Sequence, residues 1–147
     1  MNEFIVLRVV TKALIPFILL FGLYVQTHGD FGPGGGFQAG VIFASAFILY
    51  GLVFGISETR RVFPSRLLLL LAALGVLIFA GVGVVALFMG GNYLEYAVFA
   101  GDPAFGNHIG IWLVELGVGM TVSSVMVTIF VSFADFRTAT GGSRCYG

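Results

Sequence analysis

Charge is what this sequence has least of. Only 10% of its 147 residues are Asp, Glu, Lys or Arg, whereas 59% are hydrophobic and the mean hydropathy is +1.05. A soluble domain carries about 25% charged residues, and a chain this short buries only roughly 70% of its unfolded surface. Water is therefore a poor solvent for most of this chain, and a bilayer is a good one. Inside a bilayer every backbone polar group must be paired within a helix or a closed barrel. The alternation of apolar and polar residues that marks a barrel strand is missing here. Helices remain.

Other absences narrow the function. Cys145 is the single cysteine, so the chain forms no internal disulfide and no cysteine metal site. Net charge is zero, and no basic cluster is interleaved with aromatics, which excludes nucleic acid as an expected partner. Two histidines and scattered carboxylates have no metal-ligand spacing. Neither a nucleophile–base constellation nor a cofactor motif is present, so no catalytic residue, metal or cofactor is expected. No separate soluble domain or long-period repeat is visible.

What is present is four apolar segments. Spans are expected at about 4–25, 37–56, 67–89 and 109–133, as a single membrane domain over residues 1–135 with a short polar tail at 136–147 that frays. The first has a short uninterrupted core, Ala13–Val25. Arg8 and Lys12 must therefore reach back to the headgroups on their long stems. Its basic start also fits a signal peptide, but no clear cleavage site follows and three more spans do, so a retained anchor is expected. Pro16 falls inside it as a possible kink.

Orientation follows from the basic residues. All seven (Arg8, Lys12, Arg60, Arg61, Arg66, Arg137 and Arg144) lie in the N-terminus, the second linker or the tail. The positive-inside rule puts those segments, and both termini, in the cytoplasm. The first linker, His28–Gly36, then faces outward with Asp30, and the third, Gly90–His108, with Glu95 and Asp102. Tyr93, Tyr96, Phe99, Phe105 and Trp112 suit an outer interfacial aromatic belt.

Small residues recur at a spacing of four on the second span: Gly36, Gly40 and Ala44, then Gly51 and Gly55. Such faces admit another backbone closely. Gly81, Gly83, Gly117 and Gly119 offer similar places on the third and fourth spans. Two readings are open: contacts with other helices of a larger assembly, or merely the high frequency of glycine in membrane helices.

The stretch HGDFGPGGGFQAG, residues 28–40, joins the first two spans. A phosphate loop would need a lysine and a hydroxyl after its last glycine, where this chain has Phe37 and Gln38. An ordered tight turn fits better, with one φ angle fixed by Pro33 and glycines free to adopt positive φ. PGGGFQAG followed by VIFASAFILYGLVFG resembles the B subunit, or MnhB family, of Mrp-type multisubunit cation/proton antiporters. The resemblance covers roughly residues 10–135. The matching positions are Gly29, Pro33, Gly34, Gly35, Gly36, Phe37 and Gly40. Asp30 stands where the family often has histidine, and His28 lies two positions earlier, so no family role passes to His28.

The resemblance implies a subunit of a bacterial or archaeal cell (inner) membrane complex that exchanges Na+ or another monovalent cation for protons. Its partners would be other antiporter subunits, membrane lipid and the transported Na+ and H+. Homologues also occur in membrane-bound hydrogenase-like redox-driven ion pumps, which is one alternative; a purely structural or assembly subunit is another.

The residues themselves single out Glu115. It lies about seven residues, hence roughly 10 Å, inside the outer end of the fourth span. An acidic group there costs about 2.5–3.5 kcal/mol on insertion scales, so it should face protein, water or a partner. Three readings are open: a proton-exchanging carboxyl, a pair for a cation on another subunit, or an interfacial charge. His108, seven residues earlier, is a candidate entry relay or an interfacial histidine beside Asn107. Asp30, Glu95 and Asp102 are candidate cation attractors at the outer mouth or simply solvated loop charges. The glycine stretch reads as structural, and Glu115 lies far from it in sequence.

Overall fold

The computed structural model describes residues 2–29, 34–99 and 103–141, with side chains for 5–29, 34–96, 99 and 105–136. It is all-helical among these residues. Helix α1 spans Asn2–His28, α2 Gly36–Phe54, α3 Ile56–Val62, α4 Ser65–Phe88 and α5 Pro103–Gly141. One 3-10 turn, Tyr96–Phe99, precedes α5. Four of the helices (α1, α2, α4 and α5) are long and apolar enough to cross a membrane, as the sequence leads one to expect.

Boundaries differ from the expected spans for local reasons. Helix α1 runs through Pro16 without ending and continues to His28. Helix α2 stops at Phe54, not Ile56, because Gly55 adopts φ 97° and ψ 157°. That region is open essentially to glycine alone. The second linker is not plain loop: its first half forms α3, a seven-residue helix. Pro64, extended at φ −64° and ψ 145°, precedes α4. Of the tail expected at 136–147, residues 136–141 continue α5, and the rest lies outside the described residues.

The 39 residues of α5 correspond to about 58 Å of helix at 1.5 Å per residue. That exceeds the roughly 30 Å hydrocarbon core, so α5 projects beyond it. One projecting end is clipped to α3 by the Arg60–Asp135 ion pair, both partners substantially exposed.

The helices form a row rather than a closed bundle. Helix α1 packs mainly on α2, α2 on α5, and α5 on α4, giving the spatial order α1–α2–α5–α4. The apolar core lies at the α2–α4–α5 contact, where Ala44, Leu68, Val127 and Val131 are buried beneath Phe47, Ile48, Ile56, Phe63 and Phe130. Large apolar side chains on the end helices, including Phe17, Leu20, Phe21, Leu69, Leu77 and Phe88, stay exposed. In water that arrangement would fail; against lipid tails it costs nothing comparable, because the tails are as apolar as leucine.

The small-residue faces are used within the chain. A methyl on Gly40 would lie 2.8 Å from the Gly119 carbonyl oxygen and 2.9 Å from Val122 Cβ. Gly75 and Gly117 let α4 and α5 cross, and a methyl on Gly117 would stand 2.8 Å from the Gly75 carbonyl oxygen. Gly83 receives the ring of Tyr93, whereas Gly81 has open space around it. The close approach that the sequence offered to other subunits is thus largely consumed inside this one.

Candidate functional site

The region of interest is where α1 ends, the chain turns, and α2 begins. Helix α1 stops at His28, and Gly29 carries the turn. Beyond the turn Gly35 donates its N–H to the Val25 carbonyl across 3.4 Å, and its own carbonyl accepts from Ala39 N–H at 3.0 Å. Gly35 therefore serves as N-cap of α2, at φ 120° and ψ 175°. Such a conformation costs a side-chain-bearing residue about 1–3 kcal/mol. The N-cap is a glycine for that reason.

This turn closes on Glu115. A methyl on Gly29 would lie 2.6 Å and 2.7 Å from the two carboxylate oxygens of Glu115, and one on Gly35 3.1 Å from Oε1. The carboxylate is thus flanked by two glycines, one on each side of the turn. Below it, Gly36 backs onto the main-chain carbonyl of Glu115 so closely that a side chain would collide with it. One turn further along α2, Gly40 meets Gly119, one turn further along α5. The glycine stretch and the acidic residue, nearly eighty positions apart, form one site.

Gln26 completes the surroundings. Its Oε1 lies 2.7 Å from the place a Gly119 Cβ would take, and the Gly36 carbonyl oxygen lies 3.2 Å from the same point. Gln26 is only 7% exposed. Its Nε2 has no hydrogen-bond partner among the described residues. A buried amide donor left unpaired costs about 1–3 kcal/mol, so this group is where a partner or ligand is called for. The site therefore holds an acidic group, a polar amide and main-chain carbonyls, walled by residues without side chains.

A family model described as "Domain related to MnhB subunit of Na+/H+ antiporter" matches residues 6–128. The chain belongs to the MnhB family. Proteins named "Putative antiporter subunit mnhB2" from Staphylococcus aureus strains Newman, JH1 and COL are each 36% identical to it over 137 residues. Those alignments cover 91% of this chain and 96% of each relative. Membership in MnhB, together with four helices able to span a membrane, makes this a multi-pass membrane protein and a component of a transporter.

The MnhB motif divides in two in this chain. Gly29, Gly34, Gly35, Gly36 and Gly40 build the turn and its seat on α5; a methyl on Gly34 would lie 2.9 Å from the Val25 carbonyl oxygen. Phe37 instead points away and is 62% exposed. Pro33 and Asp30 lie outside the described residues, as does Asp102. His108 is exposed on the first turns of α5, about 10 Å of helix rise from Glu115. His28 is exposed and stacks on Tyr24, with ring centroids 5.1 Å apart. Glu95 accepts from Asn92 N at 2.7 Å and Asn92 Nδ2 at 3.0 Å, so this loop acid ties a turn together. Tyr96 packs against Gly110; burial, and then the neighbouring Tyr93, push its phenol above the usual tyrosine range.

Gln26 is the residue that sequence reasoning missed. With the first span ended at Val25 and the linker begun at His28, Gln26 belonged to neither and drew no reading. A signal was available: Gln26 is a polar amide within three residues of Gly29, the first glycine of the motif.

Proposed function

We propose that this chain is the B-type subunit of a multisubunit Na+/H+ antiporter, and that Glu115 is its proton-exchanging group. It works beside the large ion-translocating subunits and shapes their outer entry. The observation that carries the reading is the seating of the Glu115 carboxylate between Gly29 and Gly35. A turn built to bring bare backbone against one carboxylate serves that carboxylate.

The positive-inside rule favours a topology with both termini and α3 in the cytoplasm and the glycine turn outside. Glu115 then exchanges protons with the outer face. The inner half of the chain packs around Ala44, Leu68, Val127 and Val131. The hydroxyls of Thr59, Ser124 and Thr128 there donate to nearby main-chain carbonyls, and among the described residues no ionisable side chain lies in that core. A complete path must therefore continue through partner subunits of the cell membrane complex.

The test is Glu115→Gln in the intact complex, assayed for Na+/H+ exchange in vesicles. Exchange should be abolished, or its pH dependence displaced, while the complex assembles to normal levels. Unchanged exchange at normal assembly would overturn the reading and leave the alternative that the open helix row favours, a scaffold without an ion on its path. Reduced assembly with normal exchange per complex would make Glu115 a structural partner instead.

A further inference from the structure

We infer that Gln26 and Glu115 hold one water molecule between them, and that Gln26 is a positioning residue for the proton carried by Glu115. The inference rests on the reading of Glu115 as a proton-exchanging carboxyl, and it concerns a residue outside the MnhB motif.

Three observations converge. Gln26 Nε2 is a buried donor with no acceptor among the described residues, and buried polar groups in native proteins are satisfied by protein or by ordered water. The second observation is register. Gln26 lies in the last turn of α1, about 3 Å of rise before its end at His28, with Gly29 immediately beyond, and Glu115 and Gly119 lie four apart on α5, about 6 Å. The Glu115 carboxylate sits at Gly29, and the Gln26 amide sits at Gly119. The two groups are therefore offset by about one helical turn along the same interface. Two hydrogen bonds of about 2.8 Å placed end to end through a single water oxygen span that offset.

The third observation is the wall. A methyl on Gly119 would press on Gln26 Oε1 at 2.7 Å, and one on Gly29 on the Glu115 carboxylate at 2.6 Å. The two glycines thus make room for the polar heads of Gln26 and Glu115 at the two ends of the offset. A water there would accept from Gln26 Nε2 and donate to the Glu115 carboxylate, with the Gly36 carbonyl as a further acceptor nearby. Such a site has the two to four polar partners that a buried water needs. A carboxylate has about four acceptor positions, so this contact adds to whatever else Glu115 binds.

The decisive measurement is a structure of the intact antiporter complex at a resolution that shows ordered water. Solvent density within hydrogen-bond distance of both Gln26 Nε2 and the Glu115 carboxylate is expected. Donation from Gln26 Nε2 to a protein acceptor, with no solvent between the two residues, would overturn the inference. Infrared difference spectroscopy tests the coupling separately. The Glu115 carboxyl or carboxylate band, identified by its loss in Glu115→Gln, should shift in Gln26→Leu. Exchange should fall about tenfold, the effect of one lost hydrogen bond. Gln26→Met, which keeps the unbranched chain and removes the donor, replaces Gln26→Leu if that variant does not assemble. A band shift together with undiminished exchange in Glu115→Gln would retain the water and remove the proton-exchange reading. An unshifted band in the Gln26 variants removes the water, whatever Glu115→Gln does.

Discussion

Glu115 is placed by backbone rather than by a cationic side chain alone. Its carboxylate meets Gly29 and Gly35, and its main-chain carbonyl meets Gly36. Each contact depends on the lack of a Cβ, so the smallest possible substitution is a strong perturbation. Gly36→Ala should force α2 away from α5 and destabilise the subunit by about 1–3 kcal/mol, the usual cost of overpacking. Gly81→Ala is the matched control, because nothing lies within 4 Å of the added methyl. Mid-helix alanine there should be neutral or stabilising by up to about 1 kcal/mol. Thermal melting of the detergent-purified complex, followed through this subunit, compares the two. Equal melting of both variants would mean that Gly36 does not seat on Glu115.

The residue scale also shows the limit of reading glycines from spacing. Gly40, Gly75 and Gly117 all occupy helix crossings, as small residues in a membrane should. Gly81 shares their composition and has no neighbour. Periodicity identifies candidates for close approach; only the partner helix decides which are used.

Elements here are ended by backbone geometry more than by side-chain caps. Helix α2 has no side-chain cap hydrogen bond at its N-cap Gly35, and Gly55 ends it with its N–H bonded to the Gly51 carbonyl. Gly55 is the cleaner test of conformation alone, since the nearest atom to an added Cβ is Ser57 Oγ at 4.0 Å. Gly55→Ala should cost about 1–3 kcal/mol from φ/ψ strain and let α2 run on into α3. Loss of the sharp corner would shift Arg60 from Asp135, which a cysteine pair at those positions would report by slower crosslinking. Unchanged melting and crosslinking would show that the corner tolerates a side chain. The ion pair itself is exposed on both sides, and pairs of that kind contribute about 0–1 kcal/mol. It steers α3 more than it holds the fold.

The four spans were legible in the sequence at this scale because length and hydropathy alone define them. Helix α3 and the extension of α5 were not. Both are short and mix charged or hydroxyl residues with few apolar ones, so neither carries the long apolar run by which a span is read.

At the scale of the whole molecule, an open row leaves the outer faces of α1 and α4 bare. Among the described residues the inner core around Val127 and Val131 holds no ionisable side chain, so the work of this chain is expected to require other subunits. Reconstituted alone in proteoliposomes, it should give no Na+/H+ exchange; robust exchange by this chain would sink the requirement for a complex. Topology is checked in a Cys145→Ser background with single cysteines at exposed positions. Asn92→Cys should react with an impermeant thiol reagent added outside intact cells, and Ser57→Cys only after the cytoplasmic face is opened. The reverse pattern would invert the orientation and put the Glu115 site on the inner face.

By itself the sequence determined the solvent, the number of spans, the expected orientation and the family resemblance. These depend on composition, on charge placement and on a local motif, none of which requires knowing what touches what. Tertiary structure alone decided that Gly29, Gly35 and Gly36 form one site with Glu115, and that Gln26 belongs to it. Helix α1 runs antiparallel to α5 and α2 parallel to it, which brings Gln26, Gly29, Gly35, Gly36 and Gly40 against residues 115–119. A helix periodicity says which residues share a face, but only packing says which face meets which carboxylate.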